Sequence, residues 1–252
     1  MRLAGARCLV LGGVRRLGRQ LALGLAADGA AVCVSSRGQD DAAADTLSAL
    51  ERAGAAAAKA VRGDVREPRT ARALVVTAAE ALGGLDVLVF AASGPFVPQP
   101  PETIDEAAWD ASLDTIAKGF FFAACAAHDA FAERPAAGAE RGVVVAITDY
   151  LGLHPWAAFA AHGAAKAAQI HLVKELARAW AVDGVRVCGV APGPVDLDDD
   201  EHRAATLRAA ARLENERLVR PADVAAAVRF CIEDEGVTGV NVVVDNGSLL
   251  MS

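Results

Sequence analysis

A carboxylate, an imidazole and an ammonium group occur close together in the stretch AITDYLGLHPWAAFAAHGAAK, residues 146–166. Asp149 follows the apolar run VVVAIT, and His162 and Lys166 stand four residues apart in an alanine-rich segment that predicts a helix. Side chains four apart share one helix face, so both can point at the place where the preceding strand ends. Asp149, His162 and Lys166 are therefore the candidate catalytic residues of an acid–base site.

Apolar runs alternate with helical patterns along the 252 residues. The runs that predict strands are residues 6–11, 30–36, 57–61, 86–90, 142–148, 185–194 and 240–245. This alternation predicts an α/β fold: a Rossmann-type doubly wound parallel sheet, three layers deep, in a single domain over residues 1–252. One long helix is expected over 104–131, and a charged flap over about 196–216 is expected to cover the strand ends, where such folds bind ligands.

The bulk properties narrow the class of protein. The formal net charge is −7 with no lysine- or arginine-rich block, so nucleic acid is not an expected partner. No run approaches the roughly 18 apolar residues of a membrane span, and residues 1–5 lead directly into a strand, so we expect a cytoplasmic protein. The five cysteines show no CxxC spacing and no neighbouring histidine, so they are interpreted as buried thiols and no metal site is expected.

A glycine-rich turn follows the first predicted strand. Gly12, Gly13 and Gly18 come just before a helix, an arrangement that brings backbone amides and the positive helix end to one place. A pyrophosphate can bind there.

Arginines near this turn bear on the choice of cofactor. The second strand ends in Ser36 and Arg37, with no acidic residue at that point to accept ribose hydroxyls. Arg37, together with Arg15 and Arg16 in the turn, favours a 2′-phosphate and hence NADPH over NADH. The alternative is that these arginines are only solvated surface cations.

With these motifs the chain resembles the short-chain dehydrogenase/reductase family over nearly its whole length. The resemblance is carried by LGGVRRLG (11–18), GDV (63–65), AASG (91–94), HGAAK (162–166), APGPV (191–195) and VDNGSLL (244–250). AASG stands in place of the family's NNAG, and HGAAK in place of YxxxK. The most similar group is the pteridine reductases, which also have an arginine in place of the middle glycine and an aspartate in place of the catalytic serine.

The resemblance implies a role for each matching position and a homo-oligomer, a tetramer or dimer. It implies Gly12, Arg16, Leu17 and Gly18 at the pyrophosphate, Ser36 and Arg37 at the 2′-phosphate, Asp64 and Val65 at the adenine, Ala91 and Gly94 at the ribose, Lys166 at the nicotinamide ribose, and Pro192, Gly193 and Val195 at the nicotinamide. Leu197 stands where the family often has a cofactor-binding threonine.

Only Lys166 remains of the family's catalytic set, because His162 replaces the tyrosine, Asp149 the serine, and Ile116 the asparagine that holds a relay water. Standard alcohol or ketone chemistry is therefore disfavoured.

Three interpretations of the reaction stay open. In the first interpretation, NADPH reduces a C=N bond of a pterin-like or cyclic imine substrate, with Asp149 or His162 as the acid. In the second, the scaffold is a non-redox cyclase, dehydratase or isomerase with His162 as base and Asp149 as its orienting carboxylate. In the third, the chain binds a nucleotide or a partner without turnover.

Aromatic residues are candidates for the substrate pocket. Phe96 and Trp156 can flank a flat heterocycle, and Tyr150, the sole tyrosine, is interpreted as a pocket wall rather than a substitute acid. Structural roles stay open as alternatives: Asp149 as the cap of a turn, and His162 as a helix histidine bonded to a backbone carbonyl.

Overall fold

The computed structural model describes residues 1–38, 41–132, 141–197, 203–204 and 217–250. Seven strands form one sheet in the order β3-β2-β1-β4-β5-β6-β7. The strands are β1 Arg7–Leu11, β2 Ala31–Ser36, β3 Ala57–Arg62, β4 Val87–Phe90, β5 Gly142–Ile147, β6 Val185–Pro192 and β7 Asn241–Val244. Every neighbouring pair is parallel, and the chain changes direction across the sheet beside β1, so the expected doubly wound parallel sheet is confirmed.

Helices cover both faces of this sheet. They are α1 Arg16–Ala27, α2 Asp41–Ala53, α3 Pro68–Leu82, α4 Glu106–Leu113, α5 Gly119–Ala132, α6 Ala160–Trp180 and α7 Pro221–Glu233. Successive side chains of a strand point to opposite faces: Cys8 and Val10 belong to the buried cluster with α1 and α7, and Leu9 and Leu11 to the cluster with α3 and α5. Two cores around one sheet give three layers. Across the described part of the chain, no helix is both long and apolar enough to cross a bilayer.

The long helix expected over 104–131 is present over residues 106–132, as α4, a π-helical segment, Asp114–Lys118, and α5. A single 3₁₀ turn, Pro101–Thr103, precedes α4. The π turn adds one residue to the helix and so rotates the faces of α4 and α5 relative to each other. It is followed by Gly119, where a Cβ would lie 2.9 Å from the Val65 carbonyl oxygen, so the helix backbone lies directly against the loop after β3.

The turn after β5 is packed against the helix that carries His162 and Lys166. Tyr150–Gly152 forms a single 3₁₀ turn, and a Cβ on Gly152 would lie 2.8 Å from the carbonyl carbon of Lys166. Only glycine permits this close approach, which fixes Asp149 relative to the first turns of α6. The expected flap over 196–216 falls largely outside the described residues.

Candidate active site

A cleft of about 750 Å³ opens at the carboxyl ends of the central strands. Its walls come from the turn after β1, the ends of β2 and β4, the turn after β5, the first turns of α6 and the Pro192–Val195 segment. Every candidate catalytic, cofactor-binding and substrate-binding residue named from the sequence lines this cleft. The structure therefore brings these residues together, and their individual roles stay predictions.

The two carboxylate oxygens of Asp149 have different surroundings: one caps a turn, and the other faces His162 in the cleft. Oδ1 accepts a hydrogen bond from the Leu151 amide at 2.9 Å and caps the turn, while Oδ2 lies 3.3 Å from His162 Nε2. The capping role considered as an alternative is thus present, and the second oxygen faces His162, where the acid–base role stays a prediction. Asp149 keeps 20% of its side chain accessible against 5% for His162, so the carboxylate is the member of the pair that a ligand in the cleft can reach.

His162 is a buried imidazole in the first turn of α6. Its Nε2 faces the carboxylate, and its Nδ1 has no hydrogen-bond partner among the described residues, so the expected alternative of a bond to a backbone carbonyl is not what the structure shows. The Phe96 ring meets the imidazole edge-to-face at a centroid distance of 5.0 Å. This environment holds the ring in one orientation against Asp149.

Lys166 lies at the base of the cleft and is only 3% exposed. Its Nζ donates to the Ile147 carbonyl oxygen at 2.7 Å, where β5 ends, and to Gln169 Oε1 at 3.3 Å. Burial lowers the pKa of this ammonium to about 8, against the opposing effect of the Asp149 charge. A buried lysine with a lowered pKa that lines a cleft is a candidate functional residue.

Aromatic rings enclose the side of the cleft next to Asp149 and His162. Phe96 stacks on Phe159 at 4.4 Å, and Trp156 lies 5.7 Å from Phe159 and 5.4 Å from Tyr150. Burial raises the pKa of the Tyr150 hydroxyl, which has no partner among the described residues, so this phenol is a poor proton donor and fits a wall.

The glycine turn forms a close-fitting cradle at the start of α1. Gly12 has φ 81°, and a Cβ there would lie 2.9 Å from the Ala92 amide nitrogen. Arg16 adopts φ 50°, a left-handed conformation that costs a non-glycine residue roughly 1 kcal/mol or more. Arg15, at the cap position, makes no side-chain cap, as expected for a side chain that only donates. The backbone amides of the first turn therefore receive no side-chain acceptor from Arg15.

The far end of the cleft carries the cationic residues expected at a 2′-phosphate. Arg37 is exposed after β2, and the neighbouring Ser36 hydroxyl donates to the Gly38 carbonyl oxygen at 2.8 Å. Asp64 is held by Arg66, whose Nη2 lies 2.6 Å from Oδ2, and this hydrogen bond holds the pKa of the carboxyl below its usual range. Arg66 was not among the sequence candidates, although its spacing of two from Asp64 is typical of an Asx turn.

Two other contributors were missed by the sequence. Phe159 supports the Phe96 ring, and Gln169 holds Lys166, but neither belongs to a family motif. A signal existed for Gln169, since His162, Lys166 and Gln169 follow i, i+4, i+7 spacing and share one helix face. Over the described ranges, no group of three or more histidine, cysteine or acidic side chains is arranged to hold a metal ion.

Comparisons with known proteins agree with this architecture. The family described as enoyl-(acyl carrier protein) reductase matches residues 13–248. The chain is 33% identical to 3beta-hydroxysteroid dehydrogenase 1 of Eggerthella lenta, covering 98% of this chain and 95% of that protein. It is 36% identical to cis-4-hydroxycyclohexanecarboxylate dehydrogenase of Sinomonas cyclohexanicum, covering 95% and 94%.

A solved structure gives the same result at the level of the fold. A short chain dehydrogenase from Burkholderia cenocepacia in complex with NADP superimposes with a TM-score of 0.87 at 31% identity, over 99% of this chain and 100% of that one. Both the sequence match over most of the chain and the shared sheet lead to one assignment: the chain belongs to the short-chain dehydrogenase/reductase family.

Proposed function

We propose that the protein is an NADPH-dependent reductase of a C=N bond in a pterin-like or cyclic imine substrate, with Asp149 as proton donor and His162 orienting it. The carrying observation is the Asp149 Oδ2 to His162 Nε2 contact of 3.3 Å inside the cleft. Tyr150 is the sole tyrosine of the chain, and burial raises its pKa, so no effective phenol acid accompanies Lys166. Family membership supports the coarser statement, an NAD(P)-dependent oxidoreductase.

The acid available in the cleft suits an imine better than a ketone. An imine nitrogen is a much stronger base than a carbonyl oxygen, so a carboxylic acid can protonate it before or during reduction. The resulting iminium stays beside the Asp149 carboxylate, and the aromatic faces of Phe96 and Trp156 favour a cation. A ketone oxygen is far less basic, so the same carboxylic acid assists its reduction much less.

The residues at the glycine turn fit a dinucleotide. A Cβ at Gly12 or Gly18 would collide with neighbouring backbone, so the two glycines permit the tight turn that leads into α1. We propose that Gly12, Arg16, Leu17 and Gly18 hold the pyrophosphate and that Ser36 and Arg37, together with the positive charge of Arg15, hold a 2′-phosphate. NADPH, when bound, supplies the hydride.

The proposed reaction is balanced without a further reactant. The C=N carbon gains a hydride, the nitrogen gains the Asp149 proton, and the products are an amine and NADP⁺. Asp149 is then reprotonated from solvent through the open part of the cleft, while His162 keeps the carboxyl group in place.

The names of the relatives favour a second candidate. Both curated relatives are dehydrogenases of ring-bearing hydroxy compounds by name, so a secondary alcohol on an alicyclic ring is the competing substrate class. The pteridine reductase grouping has no support from these names. The non-redox and nucleotide-binding interpretations gain nothing from them either.

A substrate comparison tests the proposal. The protein is assayed for NADPH oxidation with dihydropterins and cyclic imines, and in parallel with cyclic ketones and, in reverse, with NADP⁺ and cyclic alcohols. We expect turnover of the C=N substrates and a much lower kcat/KM for ketones. Turnover of ketones or alcohols alone would refute the proposal and favour the second candidate, a dehydrogenase of alicyclic alcohols. Conversion of substrate without any change in nicotinamide absorbance would refute both candidates.

Arg37 provides a test of the proposed cofactor preference. Arg37→Ala is expected to weaken NADPH binding by about 10- to 100-fold and to leave NADH binding nearly unchanged, because only the 2′-phosphate loses a charge-assisted partner. Dissociation constants from nicotinamide fluorescence measure both. Arg52→Ala removes an exposed arginine outside the cleft and should change neither constant. An equal loss for both cofactors would show that Arg37 does not select the 2′-phosphate.

A further inference from the structure

Gln169 is a fully buried polar side chain next to the candidate catalytic lysine. It is 0% exposed on α6, and its Oε1 accepts from Lys166 Nζ at 3.3 Å. Its Nε2 is buried with no hydrogen-bond partner among the described residues. Leaving a buried amide half-satisfied costs about 1–3 kcal/mol, so packing alone does not account for glutamine at this position.

The amide orientation follows from the charge on the lysine. A protonated ammonium has three donors and no acceptor, so the amide oxygen must face it and the amide nitrogen must point away. Together with the Ile147 carbonyl oxygen at 2.7 Å, Gln169 takes up two of these donors. The third remains for a ligand in the cleft, which Lys166 lines.

We infer that Gln169 is a positioning residue: its carbonyl oxygen fixes the Lys166 ammonium against the end of β5 and aims the remaining donor into the cleft. A neutral acceptor does this without adding a second negative charge beside Asp149. The consequence for turnover rests on the proposed function, whereas the effect on the lysine itself does not.

Few charged groups surround the ammonium in the described structure. Asp149, in the turn after β5, raises the pKa of the ammonium, and the titratable His162 and Tyr150 line the same cleft. On the π segment packed against α6, Asp114 and Lys118 pair with each other at 2.7 Å and are partly exposed. A charge introduced at residue 169 should therefore act on Lys166 without a competing buried partner.

The pKa of Lys166 in each variant tests the inference directly. Wild type, Gln169→Leu and Gln169→Glu are each compared with the same protein carrying Lys166→Met, by urea unfolding between pH 6.5 and 10.5. The pH dependence of the stability difference within each pair reports the folded-state pKa of Lys166. We expect Gln169→Glu to raise this pKa by about 1–3 units, since it places an opposite charge beside the ammonium, and Gln169→Leu to lower it.

Cofactor binding supplies the second readout. Gln169→Leu should weaken NADPH binding by about tenfold, because Lys166 loses one charge-assisted hydrogen bond that orients it. Gln169→Glu keeps an acceptor, so its NADPH binding should stay closer to that of wild type at pH values below the new pKa of Lys166. Val173→Ala, a buried truncation one turn further along α6, provides the control for destabilisation and should shift neither quantity. Gln169→Met replaces the leucine variant if that protein does not fold.

The opposite signs of the two substitutions make the outcome decisive. A Lys166 pKa that is the same in wild type and in both Gln169 variants would overturn the positioning role and leave Gln169 as a packing residue. The unfolding measurements need neither substrate nor cofactor. An enzyme that fails to reduce imines but shows the opposite pKa shifts would therefore refute the proposed function and keep this inference.

Discussion

Asp149→Asn is expected to lower kcat by about 10²- to 10⁴-fold while leaving the dissociation constant of NADPH close to the wild-type value. The amide keeps the shape of the side chain and can still accept from the Leu151 amide, which Asp149 bonds at 2.9 Å. It cannot donate a proton to the substrate and recover it from solvent. Steady-state kinetics together with a fluorescence titration of NADPH separate the two quantities.

Asp105→Asn is the matched control for the capping function. Asp105 caps α4 by accepting from the Ala108 amide at 2.8 Å and lies outside the cleft. Its substitution should leave kcat unchanged and affect stability by no more than about 1 kcal/mol, the usual value of a cap. If Asp149→Asn lost stability but retained turnover, Asp149 would be only a cap and the proton donor would be elsewhere.

A double variant separates the roles of Asp149 and His162. Groups that act as one unit give non-additive losses, so Asp149→Asn/His162→Asn should be no slower than Asp149→Asn alone. This expectation follows from the exposures of the pair, because the 5% exposed imidazole reaches the cleft through the carboxylate. Losses that multiplied would instead indicate two independent proton carriers.

Local sequence signals predicted the parts of the site that depend on backbone geometry. The glycine turn, the strand ends and the His162–Lys166 spacing each require a particular residue type at a fixed interval, so a single sequence shows them. The π segment at Asp114–Lys118 lies inside the helix expected over 104–131, and the sequence analysis did not locate it there.

Contacts between distant segments were the part that the sequence did not reveal. Phe159 supports the cleft wall because it stacks on Phe96, a residue on another loop. Nothing in the sequence spacing of either residue indicates that contact. Gln169 differs, because its helical register with Lys166 was visible and only its burial was not. A polar residue at helical spacing from a candidate catalytic side chain is thus a usable signal for a candidate positioning residue.

Lys166→Met is expected to abolish turnover and yet leave the protein at least as stable as wild type at pH 7. The ammonium is 3% exposed and has no carboxylate within salt-bridge distance in the described structure, so folding must bury a charge that water solvates well. Methionine has a similar length and no charge to desolvate. The substitution also leaves the Ile147 carbonyl and the Gln169 amide oxygen without a donor, and this limits the gain in stability.

The pH dependence gives the sign of the effect. Burial lowers the folded pKa of Lys166 to about 8 from the ordinary lysine value of 10.5, so between these two pH values the unfolded chain holds a proton that the folded protein has released. The free energy of unfolding of wild type relative to Lys166→Met should therefore rise with pH by about 3 kcal/mol from pH 8 to pH 10.5, at about 1.4 kcal/mol per pKa unit. The paired difference removes the opposing titration of the buried cysteines, since both proteins contain them.

Urea unfolding at several pH values measures this difference, with loss of NADPH binding as the parallel readout of function. A methionine protein that was markedly less stable at pH 7, with a difference from wild type that did not change up to pH 10.5, would show that Lys166 stabilises the fold. The expected result, lower function at equal or higher stability, would identify Lys166 as a residue that binds a ligand and does not stabilise the fold.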